Sequence, residues 1–177
     1  MPFDRVIDQP LDVPISSDRS RTTLARVMGV MDANNYGNVH GGVIMRAVDE
    51  AGAMSSMRHS GGPVVTAFMD QMAFLEPMQL GDVLITRAQV NWTGKTSMEV
   101  GVRVSAQRLS MEEEIHVSTA YLVFVAVDAD GRPRHVARVR PGNDLDRMRW
   151  HEAEIRRRAR LERRQAIKDL RAKGIEP

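Results

Sequence analysis

Asn34, Gly41, Gly42 and Asp49 fall within one stretch, "DANNYGNVHGGVIMRAVDEAGA", that runs from Asp32 to Ala53. Each could do chemistry. Paired glycines at a helix start leave backbone N–H groups unobstructed, and the helix dipole adds partial positive charge there. Gly41 and Gly42 could therefore hold an anion or a developing oxyanion. Asn34 supplies a neutral amide that can donate to a carbonyl or hold a water. Asp49 lies about two turns into the same helix, where a partly buried carboxylate could act as a general base. Its neighbours on the helical wheel are Met45, Gly52, Ala53 and Ser56, mostly small, so another chain or a ligand is expected to approach that side. Read as structure alone, asparagines and glycines in a loop are turn residues, and mid-helix acids are solvated.

The elements that must position these residues follow from periodicity. "TTLARVMGV" (22–30) reads as a strand and 34–42 as a loop. From Gly42 to about Ser60 the pattern is helical, with Ile44, Ala47, Val48, Ala51 and Met54 on one stripe. Strands are predicted over 64–75, 83–93, 97–109 and 115–128, with 110–114 a polar connection. In the third, Met98, Val100, Val102 and Val104 alternate with Glu99, Gly101, Arg103 and Ser105, the mark of a half-buried strand. Strand, loop, helix and then four consecutive strands imply an α+β fold, an antiparallel sheet with one long helix against one face. The organisation expected is an N-terminal arm over 1–20, a main domain over 21–142 and a basic helical tail over 143–177.

Composition excludes several classes. The 177 residues suit one domain with tails, and 42% apolar content is enough for a core. No cysteine is present, which removes disulfides, thiolate metal sites and a cysteine nucleophile. No apolar run reaches the roughly 18 residues of a membrane span, and the first residues carry no signal-peptide pattern. The chain lacks a nucleophile elbow, a phosphate loop and a dinucleotide fingerprint. His40, His59, His116, His135 and His151 never stand three or four apart, so no helical metal pair exists.

The stretch "D-A-N-N-Y-G-N-V-H-G-G-V-I-M-R-A-V-D-E-A-G-A" resembles the signature of hotdog-fold acyl-CoA thioesterases, in particular the brain-type cytosolic acyl-CoA hydrolases and their small bacterial relatives. The similarity continues through "RHS" (58–60), "F-L-E-P-M-x-L-G-D" (74–82), "G-K-T-S-M-E-V" (94–100) and "Y-L-V-F-V-A-V-D" (121–128). It implies a sheet wrapped round one central helix and hydrolysis of fatty acyl-CoA in the cytoplasm, with CoA as part of substrate and product and no separate cofactor or metal. It also implies that Asn34 and Asp49 are the catalytic positions, contributed to one site by two hotdog units. A dimer is then the minimal unit and a hexamer the expected assembly. The thioester carbonyl would rest on the Gly42 N–H, with Asn34 orienting it or the water. Asp49 would act as general base or as nucleophile. His40 departs from the aromatic that many relatives carry, and packing or capping the loop is its expected role.

Arg58 and His59 close the helix, where positive charge offsets the dipole; the resemblance also lets them face the CoA phosphates. Gly94 to Ser97 is first a hairpin link, yet by the same resemblance Lys95, Thr96 and Ser97 border the pantetheine. Gly41 completes the CoA-facing set. The competing reading is an acyl-CoA-sensing regulator that binds without turnover; a hydratase fits less well, because it would want a paired His and acid. The tail from 144 holds eleven basic and seven acidic residues. Acids interrupt its basic run and no aromatic follows Trp150, so nucleic acid is not the expected partner, nor is a membrane. Its apolar stripe is thin, so the helix needs a surface, and the slightly acidic body of a neighbouring subunit is the expected one.

Overall fold

The computed structural model describes residues 11–108 and 113–172. The start of the N-terminal arm, most of the 110–114 connection and the end of the basic tail lie outside the described residues. The elements are β1 (Ile15–Ser16), β2 (Thr22–Val27), α1 (Gly41–Ser60), β3 (Val64–Phe74), β4 (Val83–Thr93), β5 (Ser97–Gln107), β6 (Glu114–Ala126), β7 (Val139–Arg140) and α2 (Asp144–Ala172). Five strands form an antiparallel sheet in the order β2-β4-β5-β6-β3, and β1 pairs with β7 in a small parallel ribbon. The predicted α+β architecture, an antiparallel sheet with one long helix across it and a second helix at the C-terminus, is the hotdog arrangement.

Helix α1 lies on the inner face because its apolar residues recur on one stripe. Ile44, Val48 and Ala51 are buried against Val90, Val100, Val102 and Phe124 of the sheet. The stripe continues through Ser55 and His59, not through Met54, which is exposed. At about 100° per residue Ser55 returns to the azimuth of Ile44, whereas Met54 stands a full residue step away. Gly52 sets the depth of the contact. A Cβ there would lie 2.8 and 2.9 Å from the Phe124 ring. The helix ends at Gly61, whose φ of 71° is the left-handed conformation that suits a C-cap, and its N–H closes on the Met57 carbonyl.

Two expectations need correction. Residues 15–20 do not form a loose arm: Ile15 and Ser16 pair with Val139 and Arg140, and Ser17 and Ser20 are buried. Asp146 explains why. It is buried and accepts from Ser17, Arg21, Gln89 and the Gly142 N–H, joining the N-terminal segment to β4 and α2. Burial alone would raise its pKa, but these donors and the Arg21 charge hold it lowered.

The second correction concerns α2. It docks on the outer face of its own sheet. Trp150 and Ala153 pack inward, while Ile155, Leu161, Ile167 and Leu170 of the expected apolar stripe are exposed. Contact is made instead by Arg156 and Arg160, which reach Glu99 and Asp70. Among the described residues no helix is long and apolar enough to cross a membrane.

Gly52→Ala is expected to destabilise the fold by about 1–3 kcal/mol, the cost of overpacking a filled core, although Ala is the better helix former. Thermal unfolding of the variant against the parent chain measures it; an unchanged or raised midpoint would mean that Phe124 can move aside.

Candidate active site

The loop before α1 is closed by its own asparagine. Asn34 Oδ1 accepts from the N–H groups of Tyr36 (2.8 Å) and Asn38 (3.2 Å), an Asx turn. Both partners are donors, so the carbonyl oxygen faces them and the NH2 group remains to donate. Gly37, with φ of 81°, lets the loop reverse, and Val39 N–H bonds to the Met78 carbonyl. Half-buried Asn34 thereby lines a cleft of about 340 Å³ with Gly41, Ile44, Phe74, Glu76 and Met78. The lining is apolar apart from Asn34, Asn38 and Glu76.

At the head of α1 the N–H of Gly42 is not bare, contrary to expectation. His40 is the N-cap, and its Nδ1 accepts from Gly42 at 2.9 Å. The ring folds so closely over Gly42 that a Cβ there would lie 3.0 Å from Nδ1. This gives His40 the capping role expected of it.

Asp49 is half-buried, and Thr66 on β3 donates its hydroxyl to Asp49 Oδ1 at 2.7 Å. Sequence reasoning did not single out Thr66. A threonine in a strand is ordinary β composition, and the pairing shows only once α1 and β3 are packed. Within one chain Asp49 stands eight residues beyond Gly41, about 12 Å of helical rise, and it does not line the Asn34 cleft. Glu50 pairs with Arg46 on the exposed surface and takes no part in the cleft.

The residues put forward for CoA divide. His59 is corrected: it is fully buried and bonds through Nε2 to the Ala137 carbonyl at 3.0 Å, so it cannot face a phosphate in solvent. Burial also lowers its pKa, with the Arg19 charge adding to that and the Ala137 carbonyl opposing it. Arg58 is exposed and its Nε donates to the Arg19 carbonyl. Lys95 and Thr96 lie in the β4–β5 turn and Ser97 opens β5; the carbonyls of Lys95 and Thr96 accept from the N–H groups of Val136 and Ala126. That turn and Arg58 sit toward the C-terminal end of α1, because β3 begins there and Val64 pairs with Ala126. The Asn34 cleft is at the other end, beside Phe74. Nearly the whole helix, about 30 Å, separates the two groups within one chain. Among the described residues no cluster of three or more His, Asp or Glu is placed to hold a metal.

The pattern of the thioesterase superfamily matches residues 36–110. The chain is 35% identical over 134 residues to the uncharacterized acyl-CoA thioester hydrolase YkhA of Bacillus subtilis, covering 76% of this chain and 78% of that one. This chain belongs to the acyl-CoA thioester hydrolases of that superfamily. It is also 28% identical over 145 residues to the human cytosolic acyl coenzyme A thioester hydrolase, covering 81% of this chain but only 38% of the longer relative. Acyl-CoA hydrolase from Staphylococcus aureus, solved with butyryl coenzyme A and coenzyme A, superposes with a TM-score of 0.83 at 32% identity, covering 93% of this chain and all of that one. Variants of that hydrolase with an aspartate, a threonine and an asparagine each changed to alanine have also been solved. An apo-hexameric acyl-CoA thioesterase matches with a TM-score of 0.82 at 34% identity, over 87% of this chain and 97% of that one. The fold and the hydrolase activity expected of the sequence are therefore those of its relatives.

The lowered pKa of His59 gives a pH dependence of stability. The folded state keeps this ring neutral while the unfolded chain takes up a proton near the ordinary value of 6.5, so stability is lost as pH falls from above 6.5 toward the folded value. Unfolding midpoints from pH 8 downward should show this loss, and His59→Gln should flatten it. An equal slope in parent and variant would assign the effect to other histidines.

Proposed function

We propose that the protein hydrolyses fatty acyl-CoA to fatty acid and CoA in the cytoplasm, at sites that each join Asn34 of one copy to Asp49 of another. The Asp49–Thr66 pair carries this reading. In the Staphylococcus aureus hydrolase the substituted asparagine and aspartate stand fifteen residues apart, and the aspartate and threonine seventeen. Asn34, Asp49 and Thr66 have the same two spacings in this chain.

The chemistry needs a base, an oxyanion site and a leaving group. Asp49 takes a proton from water through the oxygen that Thr66 leaves unengaged, and the water attacks the thioester carbonyl. The tetrahedral oxyanion is held by the Asn34 NH2 and by backbone N–H groups at the start of α1. To reach the Gly42 N–H the carbonyl oxygen displaces the His40 ring from its capping position. The C–S bond then breaks, CoA leaves as a thiolate that needs no strong acid and takes up the proton held by Asp49, and the carboxylic acid product gives its own proton to solvent. The apolar cleft beside Phe74 and Met78 suits an acyl chain. Exposed Lys95 and Arg58 reach CoA only from another copy, because their own chain places them far from its Asn34.

A second copy has an open surface to meet. β3 is the outer strand of the sheet, with Val65 and Phe74 about half exposed, and Met45 and Met54 are exposed on α1. We infer a dimer as the minimal unit and three such dimers in a hexamer; the solved apo-hexameric acyl-CoA thioesterase supports the count of six. Arg156 and Arg160 are committed to Glu99 and Asp70, which speaks against the tail as a nucleic-acid arm.

Release of free CoA from acyl-CoA, followed with a thiol dye, is the direct test; binding without release would support the regulator reading. Asp49→Asn, which keeps shape and removes the base, should lower kcat by about 10² or more, and near-parental activity would remove Asp49 from the mechanism. Mixing Asn34→Ala with Asp49→Ala protein should restore part of the activity, since a mixed dimer has one site with both residues intact. No recovery after verified subunit exchange would mean that each chain builds its own site.

A further inference from the structure

The basic run of α2 has no part in the hydrolytic steps, yet it is held against the sheet with care. Arg156 donates to Glu99 Oε1 at 2.7 and 3.0 Å, and its guanidinium stacks 3.6 Å from the Tyr121 ring. Arg160 Nη1 donates to Asp70 Oδ2 at 2.8 Å and lies 4.0 Å from Glu99 Oε2. Arg163 Nη2 stands 3.8 Å from the other Asp70 oxygen. The rings and acids that receive these arginines sit on β5, β6 and, above all, β3.

β3 is irregular where it is gripped. Its pairing with β6 runs from Thr66↔Phe124 to Phe68↔Val123, and from Met69↔Leu122 to Gln71↔Tyr121, so Ala67 and Asp70 are skipped. Each is the extra residue of a bulge, which bends a strand and re-aims its side chains. The contacts show the effect. Residues two apart normally share a face, but Thr66 reaches Asp49 beneath the sheet while the Phe68 ring lies under Arg160 and Arg163, 5.6 and 5.9 Å away, on the outer side. Met69 and Met72, three apart, both pack on the core. The bulge at Ala67 therefore turns Phe68 outward against α2 while Thr66, in register with Phe124, and Met69 face inward, so α2 grips β3 right beside the residue that meets Asp49. As the outer strand of its own sheet, β3 has a ladder on one side only.

We propose that Arg160 and Asp70 are a positioning pair for the active site: α2 holds the bulged stretch of β3 in the conformation that aims the Thr66 hydroxyl at Asp49. This rests on the reading of Asp49 as the base. The pair is 12–17% exposed, so it is partly desolvated, and such pairs serve conformational definition better than net stability. The basic tail is, on this account, an internal brace.

The test uses the full-length oligomer with Arg160→Met, Asp70→Asn, the double variant, Arg160→Lys and, as control, Arg164→Met on the exposed side of α2. Two readouts are taken: kcat and KM on acyl-CoA, and amide hydrogen exchange over 64–74. Arg160→Met should lower kcat about tenfold or more, the scale of a misplaced reacting group, with KM within about twofold. Exchange should quicken in β3 and not elsewhere. The double variant should be no worse than the worse single one, because the two residues act as one unit, and Arg160→Lys should recover most of the loss. Unchanged kcat and unchanged β3 exchange in an assembled Arg160→Met oligomer would overturn the proposal. So would quickened exchange across the whole chain with normal kcat per folded oligomer, which marks a merely structural contact. Should Arg160→Met fail to assemble, the near-isosteric Asp70→Asn carries the same comparison. If the parent chain releases no CoA, the hydrolase reading fails by itself, and the exchange arm still decides whether Arg160 holds β3.

Discussion

The closeness of α1 to the sheet governs the rest of the molecule, and it depends on the absence of one methyl group. With Gly52 against the Phe124 ring, the helix can sink until Val48 and Ala51 are wholly buried. Every functional residue on the helix is placed by that depth. Its head meets the Asn34 loop, which is tied to the Met78 carbonyl through Val39. Its middle brings Asp49 within hydrogen-bonding distance of Thr66. Its end buries His59 against the Ala137 carbonyl. A helix held farther out would keep its apolar stripe and lose all three.

The two faces of the sheet are covered by different physics. The inner face is apolar and close-packed. The outer face carries Glu99 and Asp70, and α2 covers it with arginines. A carboxylate as buried as Glu99 is costly to ionise, and burial raises its pKa even though Arg156 and Arg160 work against that rise. Arginine suits the task, because its planar fork donates twice to one carboxylate and stacks on Tyr121 with its flat side. Hydrophobic docking would have been indifferent to small slides of the helix. Two Arg156 donors converging on Glu99 Oε1 and, one turn on, Arg160 reaching Asp70 fix both position and rotation.

Much of this was legible in the residues. The succession of strands along the chain, the extent of α1 and the loop beside it follow from periodicity and turn chemistry, since these are local properties of the chain, whereas the sheet order that sets β3 beside β6 is not. What was not legible depends on which face meets which. His59 looked like a charge at a helix end, but it lies on the Ile44–Val48–Ala51–Ser55 stripe and is carried inward with it. Ile155 and Leu161 looked like the docking stripe of α2, although the sheet's outer acids draw the arginine side inward instead. Thr66 gave no signal, because a threonine is ordinary in a strand and its facing is set by its pairing with Phe124 on a distant strand. The capped Gly42 N–H could be anticipated only from His40, whose ring can reach back two residues because Gly42 has no side chain in its way.

The separation of Asn34 from Asp49 has a consequence for the proposed chemistry. On one helix the donors at the head and the acid two turns on are fixed about 12 Å apart, too far for a water activated by one to attack a carbonyl polarised by the other. No side-chain rotation closes that gap, because the Asx turn holds Asn34 and Thr66 holds Asp49. Bending the helix would break the contact at Gly52. The remaining way to bring the two groups together is to lay a second α1 beside the first, running the opposite way, so that each head approaches the other's middle. Met45 and Met54, exposed on α1, with β3 as an open outer strand beside it, give that second copy a place to lie. Twofold symmetry then generates two equivalent sites from one contact. The same antiparallel placement carries Arg58 and the Lys95 turn of each chain toward the Asn34 end of the other, which is where the CoA portion of a thioester resting there would extend.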